Sequence, residues 1–310
     1  MHQRIRRTAL WMLCIFTAVL LLGCRGLSMG TDDRLTGETY PDSEKYQTGA
    51  FAYEADKIKA VEVYWRSGEV EIAESDKAKL SVKESGVLPE ETALHYLLED
   101  GVLKIRFCAS GAKVRVEGSE KRLQLEVSKG IALSAHTTSA RVKAETLRQH
   151  DILIASFSGS ISLGAVTAKS VDLTSSSGAI RADSVSAGTI KCGTISGSVD
   201  FGTVSAEKFD GSASSGFVTV NSLAVKTAEI TTVGGRVNIG FAETEAAKIR
   251  TVGGNVALML GQGGAEVLYE HSSGKLKTKR AYEQKGDLVV FGGGACKLIV
   301  ETADGNLEIQ

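Results

Sequence analysis

Hydrophobic and polar residues alternate along this chain on two scales. On the short scale, apolar residues fall at every second position in brief runs, the period of a β-strand with one buried face. On the long scale, the runs themselves recur. A signature close to T-x-S-G-x-[IV] places Gly159, Gly178, Gly197, Gly216, Gly235 and Gly254, each 19 positions after the one before. A β-branched column keeps step with them: Ile161, Ile180, Val199, Val218, Val237 and Val256. Further apolar columns run through Leu163, Phe201 and Ile239, through Val166, Val185 and Leu223, and through Ile154, Leu173, Cys192 and Ile230. Two columns in register over six repeats predict a chain that winds, one coil per repeat. The fold class expected is all-β, a single-stranded β-solenoid with about 19-residue coils. The β-branched column is expected to face inward, and the glycines to mark turns. A lone coil buries too little apolar surface to offset the ordering of its backbone, so coils must stack. Roughly seven or eight coils spaced about 4.8 Å apart would extend for roughly 35 to 40 Å.

The pattern loosens at both ends of the repeat. Ala140 stands where the glycine would be, followed by Val142 and Leu147. The spacing slips by one at Gly274, and Thr302 to Leu307 repeats the signature loosely. Terminal repeats of solenoids are commonly atypical because they cap the stack. Residues 50–130 form a shorter strand-rich N-terminal part that precedes the repeats at 131–310. Its alternating runs include Ile58 to Trp65, Val70-Glu71-Ile72, Leu103 to Phe107, Val114 to Val116 and Leu123 to Val127. Pro89 to Glu99 reads either as a short helix or as a loop and an edge strand.

The first residues carry a different pattern. Arg4, Arg6 and Arg7 give a basic start, and Ala9 to Leu22 is an apolar run. The run is short for a bilayer span, which needs about 20 residues. Residues 1–23 are expected to be a lipoprotein signal peptide. Leu21-Leu22-Gly23-Cys24 resembles a bacterial lipobox, which would make Cys24 the site of lipid attachment. That reading is preferred to an incidental Cys in an ordinary signal, or to an uncut anchor. Cys14 lies inside the apolar run. Residues 24–49 are polar without apolar period and are expected to be a flexible tether. The chain is then exported and membrane-anchored through its N-terminal lipid, on the extracytoplasmic face.

Composition supports a turn-rich β protein. The 310 residues include 34 Gly and only 2 Pro, and Gly readily supplies turn conformations with positive φ. The net charge of −1 gives no reason to expect nucleic acid. Cys108, Cys192 and Cys296 remain once Cys14 and Cys24 are set aside. Their odd number and lack of a C-x-x-C spacing argue against a disulfide framework or a metal site. Cys192 falls in an apolar column and reads as a small buried residue.

No catalytic constellation emerges. There is no G-x-S-x-G elbow, and His2, His95, His136, His150 and His271 are scattered. Gly292-Gly293-Gly294 follows a strand but no helix start follows it, so no phosphate loop is expected. The column Leu153, Asp172, Lys191, Asp210, Glu229, Lys248 mixes signs, as a solvated face does, and does not pair carboxylates for glycan cleavage. The hydroxyls before the glycines, such as Ser175, Ser214 and Thr232, read first as local turn and strand residues. No cofactor and no metal are expected.

The blocks SFSGSI, SSSGAI, TISGSV, ASSGFV, TVGGRV and TVGGNV, with V-T-A and V-S-A between them and LQLEVSKGIALSAHTTS before them, resemble the bacterial "putative adhesin" family of domains of unknown function. The resemblance covers about residues 50–310. It implies a β-repeat fold in an exported or membrane-anchored protein, and it supplies no catalytic residues. Some of those proteins resemble products of envelope-stress operons. The expected function is that of a non-enzymatic cell-envelope lipoprotein, an adhesin or surface scaffold binding a glycan or an envelope protein through a solenoid face. The alternatives are a regulatory partner of an envelope-stress membrane system and, in a different class, a carbohydrate-active β-helix enzyme.

Overall fold

The structure is a computed structural model in which residues 38–77, 79–85, 89–113 and 121–310 are described. The signal segment, Cys24, and the Val114–Val116 run lie outside those residues. The fold is a β-solenoid. Chain contacts divide it into two compact units, one up to residue 187 and one from residue 188 to 310.

The first unit contains β1 (Gln47–Thr48), β2 (Phe51–Glu54), β3 (Ala60–Trp65), β4 (Glu69–Glu74), β5 (Lys79–Glu84), β6 (His95–Glu99), β7 (Val102–Arg106), β8 (Arg122–Val127), β9 (Ala132–Thr137), β10 (Arg141–Arg148), β11 (Asp151–Ser156) and β12 (Ile161–Ser175). Strand β3 pairs in parallel with both β7 and β9, and β4 with both β8 and β10. The stacking order is therefore not the chain order. The β3–β4 coil lies between the β7–β8 coil and the β9–β10 coil. Within the strand-rich N-terminal part, β3, β4, β7 and β8 belong to the stack itself. The β7–β8 coil is closed by antiparallel strands: β6 on β7 and β5 on β8, then β1 on β6 and β2 on β5. The Pro89 to Glu99 stretch resolves as a 3-10 turn at Glu90–Thr92 and strand β6.

The expectation of a free tether as far as residue 49 is corrected in its last part. Tyr40 is buried, its hydroxyl donates to the Cys108 carbonyl at 3.0 Å, and its backbone N–H donates to Ser110 at 3.1 Å. Two tyrosines in a polar stretch give it something to dock with. Tyr40 and Tyr46 pack 4.8 Å apart, and Arg106 lies 4.9 Å from the Tyr40 ring.

Strand β13 (Ile180–Thr194) spans the division. The second unit continues with β14 (Val199–Ala213), β15 (Val218–Thr232), β16 (Val237–Phe241), β17 (Ala246–Thr251), β18 (Val256–Met259), β19 (Ala265–His271), β20 (Leu276–Thr278), β21 (Glu283–Lys285), β22 (Leu288–Phe291), β23 (Cys296–Thr302) and β24 (Leu307–Ile309). Strands β14 and β15 pair in register from Val199↔Val218 to Ala213↔Thr232. One residue is then lost: Leu223 faces Phe241, so Phe241 fills the core where the period would put Ala242. The C-terminal coils again depart from chain order. Strand β23 lies between β17 and β19, and β24 between β18 and β20. Gly305 accordingly stacks on Gly254, and Gly274 on Gly305. The slip at Gly274 marks a coil whose neighbour is supplied by the last repeat.

The structure places Ile161, Ile180, Val199, Val218, Val237 and Val256 inside, each at most 1 % exposed. Neighbouring columns exchange volume. In the second unit Phe201 and Phe209 meet edge-to-face at 6.3 Å, and a side chain at Gly211 would strike the Phe209 ring. The glycines sit at the corners, but positive φ is not the reason, because none of the six adopts it. A Cβ at Gly178 would lie 2.0 Å from the Gly159 carbonyl oxygen, and one at Gly216 1.5 Å from that of Gly197. Close approach of stacked backbone, not turn conformation, requires glycine there.

Candidate functional site

The signature Thr or Ser three residues before the glycines turns inward; before Gly216 that place is held by the buried Ala213. Ser175 accepts the Gly178 N–H at 2.8 Å, Thr194 that of Gly197 at 3.0 Å, Thr251 that of Gly254 at 2.9 Å and Thr302 that of Gly305 at 2.8 Å. The Thr232 hydroxyl donates to the Gly235 carbonyl at 3.0 Å. These buried hydroxyls satisfy the corner backbone that the sheets cannot reach. The most regular part of the sequence is thus committed to the stack. Function has to be sought on the outward columns.

The outward side of the sheet formed by β7, β3, β9 and β11 carries such a column. Register brings Arg106 beside Tyr64, Tyr64 beside His136, and His136 beside Ala155. The Arg106 guanidinium carbon lies 3.7 Å from the Tyr64 ring centroid. On the other face of that ring, His136 stacks at 5.1 Å with 15° between the planes. A parallel ladder repeats every 4.8 Å or so, close to the stacking distance of flat groups, so planar residues on successive rungs line up face to face. The Tyr64 hydroxyl donates to Glu62 at 3.3 Å. Burial pulls the His136 imidazole below its ordinary value; Glu62 opposes this and Arg106 adds to it. Burial and then Glu62 raise the Tyr64 phenol. At neutral pH the stack is therefore a cation, a neutral phenol and a neutral imidazole, the order that favours cation–π attraction. Two positions either side of Ala155, Leu153 and Phe157 are 39 % and 37 % exposed.

The other residues considered from sequence are dispersed. His150 Nδ1 lies 2.5 Å from the Asp151 carboxylate, which the Ser170 hydroxyl also contacts. Hydroxyl and imidazole both meet the carboxylate and not each other, so nothing activates the serine. Asp210 and Glu229 are neighbours across β14 and β15; burial raises Asp210, with Glu229 adding to it, and Arg250 contacts Glu229. Cys108, Cys192 and Cys296 are buried and unbridged; burial pushes the Cys296 thiol up to about 11. Among the described residues no three His, Cys, Asp or Glu side chains group as metal ligands would. A cavity of about 420 Å³ opens where the register slips, between Phe241, Glu243, Thr244, Glu245, Leu260 and Cys296. Among the described residues no helix is long and apolar enough to cross a membrane.

Sequence reasoning counted His136 among scattered histidines and passed over Arg106 and Tyr64. The signal was present in the alternation of each strand, but only the interleaved coil order makes these three neighbours.

Residues 58–310 match the family described as Toastrack DUF4097. The chain belongs to this family. The Toastrack match covers all the parallel coils of both units, including the out-of-order ones. No curated protein matches the chain. Several solved structures are similar. A "putative lipid binding protein" of Parabacteroides distasonis is 13 % identical, with a TM-score of 0.50, over 86 % of this chain and 97 % of that one. A "putative adhesin" of the same organism is 16 % identical, with a TM-score of 0.49, over 88 % and 98 %. Another from Parabacteroides merdae is 15 % identical, with a TM-score of 0.48, over 86 % and 96 %. At such identity the first of these supports the Toastrack fold and nothing narrower.

Proposed function

We propose that this Toastrack chain is an exported, non-enzymatic surface protein, lipid-anchored through Cys24, that binds through the outward face of its solenoid. The observation that carries the binding claim is the Arg106–Tyr64–His136 stack. It holds rigid planar groups in register on an outer sheet face, with exposed apolar side chains beside it. Rigid aromatic groups lose little conformational freedom on binding, which suits a recognition surface. The anchor rests on the basic start, the short apolar run and the Leu21-Leu22-Gly23-Cys24 block.

The test has two arms. Cys24→Ser should leave the chain unprocessed or shed from the membrane fraction; unchanged size and retention would refute the anchor. Full-length protein displayed on cells should increase their attachment to glycan- or matrix-coated surfaces. If display changes no attachment and the chain instead co-purifies stoichiometrically with a membrane protein, the regulatory-partner reading replaces this one.

A further inference from the structure

The stack on the outer face stops one rung early. Arg106, Tyr64 and His136 occupy successive rungs as flat groups, and the next rung holds Ala155. The imidazole has Tyr64 on one face. Its other face looks over a methyl group. The rung beyond Ala155 holds Thr174, a small hydroxyl residue. Ala155 is flanked by Leu153, the outward position before it on β11, and by Phe157, just past the end of that strand. These are two of the six large hydrophobic side chains that stand exposed among the described residues. Outward residues two apart on a strand are separated by about 6.5–7 Å. The result is a recess with a methyl floor, an aromatic ring at one end, a small hydroxyl at the other, and apolar walls.

The geometry points to a binding site for a neutral pyranose ring in this recess, and it rests on the surface-binding reading above. A pyranose has the matching shape and chemistry. Its C–H face is flat and apolar and packs on an aromatic face one stacking distance away. Its rim of hydroxyls needs donors and acceptors, which the His136 ring nitrogens, Ser134 on the neighbouring column and Thr174 supply. The charges around the recess are engaged: Glu62 by the Tyr64 hydroxyl, Arg106 by the Tyr64 ring and by Glu38 at 3.8 Å, and Asp172, in register with Leu153, by a partner of its own. An aromatic side chain of a partner protein would satisfy the walls and leave the polar rim unused.

The decisive variant is Ala155→Tyr. Ala155 points outward, so the substitution should fold, and its ring should continue the stack onto His136 and fill the recess. The full-length chain is tested against immobilised glucose-, galactose- and N-acetylglucosamine-based neutral oligosaccharides. The expected result is binding to at least one sugar that falls at least tenfold in Ala155→Tyr and in His136→Ala. The melting temperature should be held in Ala155→Tyr, and binding should be unchanged in Phe217→Ser, which alters an exposed apolar residue that is not part of the recess. Equal sugar binding by wild type and folded Ala155→Tyr overturns the site while leaving the surface-binding reading standing. Binding of no sugar, together with a protein ligand lost in Ala155→Tyr, overturns the ligand class. Failure of display to change attachment at all would sink the underlying reading separately.

Discussion

The outermost coil of each unit faces the same difficulty and answers it differently. In the first unit both strands of the β7–β8 coil are covered by antiparallel strands, and the outermost segment, residues 47–54, is broken at Gly49 with φ of 94°. Beneath the cover lies a buried ion pair. Lys121 Nζ sits 2.6 Å from Glu84, donates to the Thr92 and Phe107 carbonyls, and lies 4.1 Å from the Phe107 ring. The other Glu84 oxygen accepts the Leu94 N–H at 2.9 Å. In the second unit only β19 is covered, by β22, while β20 pairs with β24 alone among the described strands. Its bare edge carries exposed Lys275, Lys277 and Lys279 instead. A sheet edge can be closed by chain or made unattractive by charge. The first solution commits polar groups to burial and makes that coil sensitive to their loss. The second leaves stability nearly indifferent to the side chains that do the guarding.

Both solutions protect the inward column, so the largest effect should come from there. Val199→Asp places a charge at a fully buried position and should cost more than about 4 kcal/mol, read by chemical denaturation; a small change would mean the column is not core. Next comes the buried pair. Measured below pH 7, where Lys121 keeps its proton, Glu84→Ala strands the ammonium and should cost about 3–5 kcal/mol, whereas Lys277→Ala should stay within about 0.5 kcal/mol. Similar losses at the two sites would erase the contrast.

The pair also gives the first unit a pH signature. Burial pushes Lys121 down to about 7 from 10.5, against the pull of the Glu84 carboxylate. The unfolded chain then holds more protons at this group between those values. Stability should rise with pH from about 7 towards 10, with no contribution below 7, where both states are protonated. Lys121→Met with Glu84→Gln should flatten that rise; an unchanged profile would assign it elsewhere. A smaller effect is expected from Thr302→Val, which leaves the buried Gly305 N–H without its acceptor and should cost about 1–2 kcal/mol in the melting curve. The smallest change in stability and the clearest change in behaviour should come from Lys277→Val. Its melting temperature should barely move, while sedimentation shows self-association through the unguarded edge. A strictly monomeric variant would mean the lysine is not the guard.

The regular coils were legible because stacking imposes a period on residues near in sequence. Gly159 to Gly254 and Ile161 to Val256 could be read as columns without any structure. Their reason was less legible: glycine suggests a turn conformation, and only the stacked carbonyls show that space is the constraint. The inward Thr and Ser were visible as part of the signature, but alternation alone does not tell that a hydroxyl faces the core to meet a corner N–H. The coil order was hidden for a different reason. Gly254 and Gly305 are neighbours 51 residues apart, and no local propensity records a partner at that distance. The candidate face inherits this difficulty, since Arg106 precedes His136 in the chain yet lies beyond Tyr64 in the stack.

Interleaving also sets a timetable. Strands β23 and β24 are made after β19 and β20 but must lie between them and β17 and β18. As the polypeptide is extended, residues 265–278 therefore have no layer to rest on until residues 296–309 have arrived. A chain lacking those residues loses two layers, not one. Formation of the β19–β20 coil thus waits on residues that follow it in the chain.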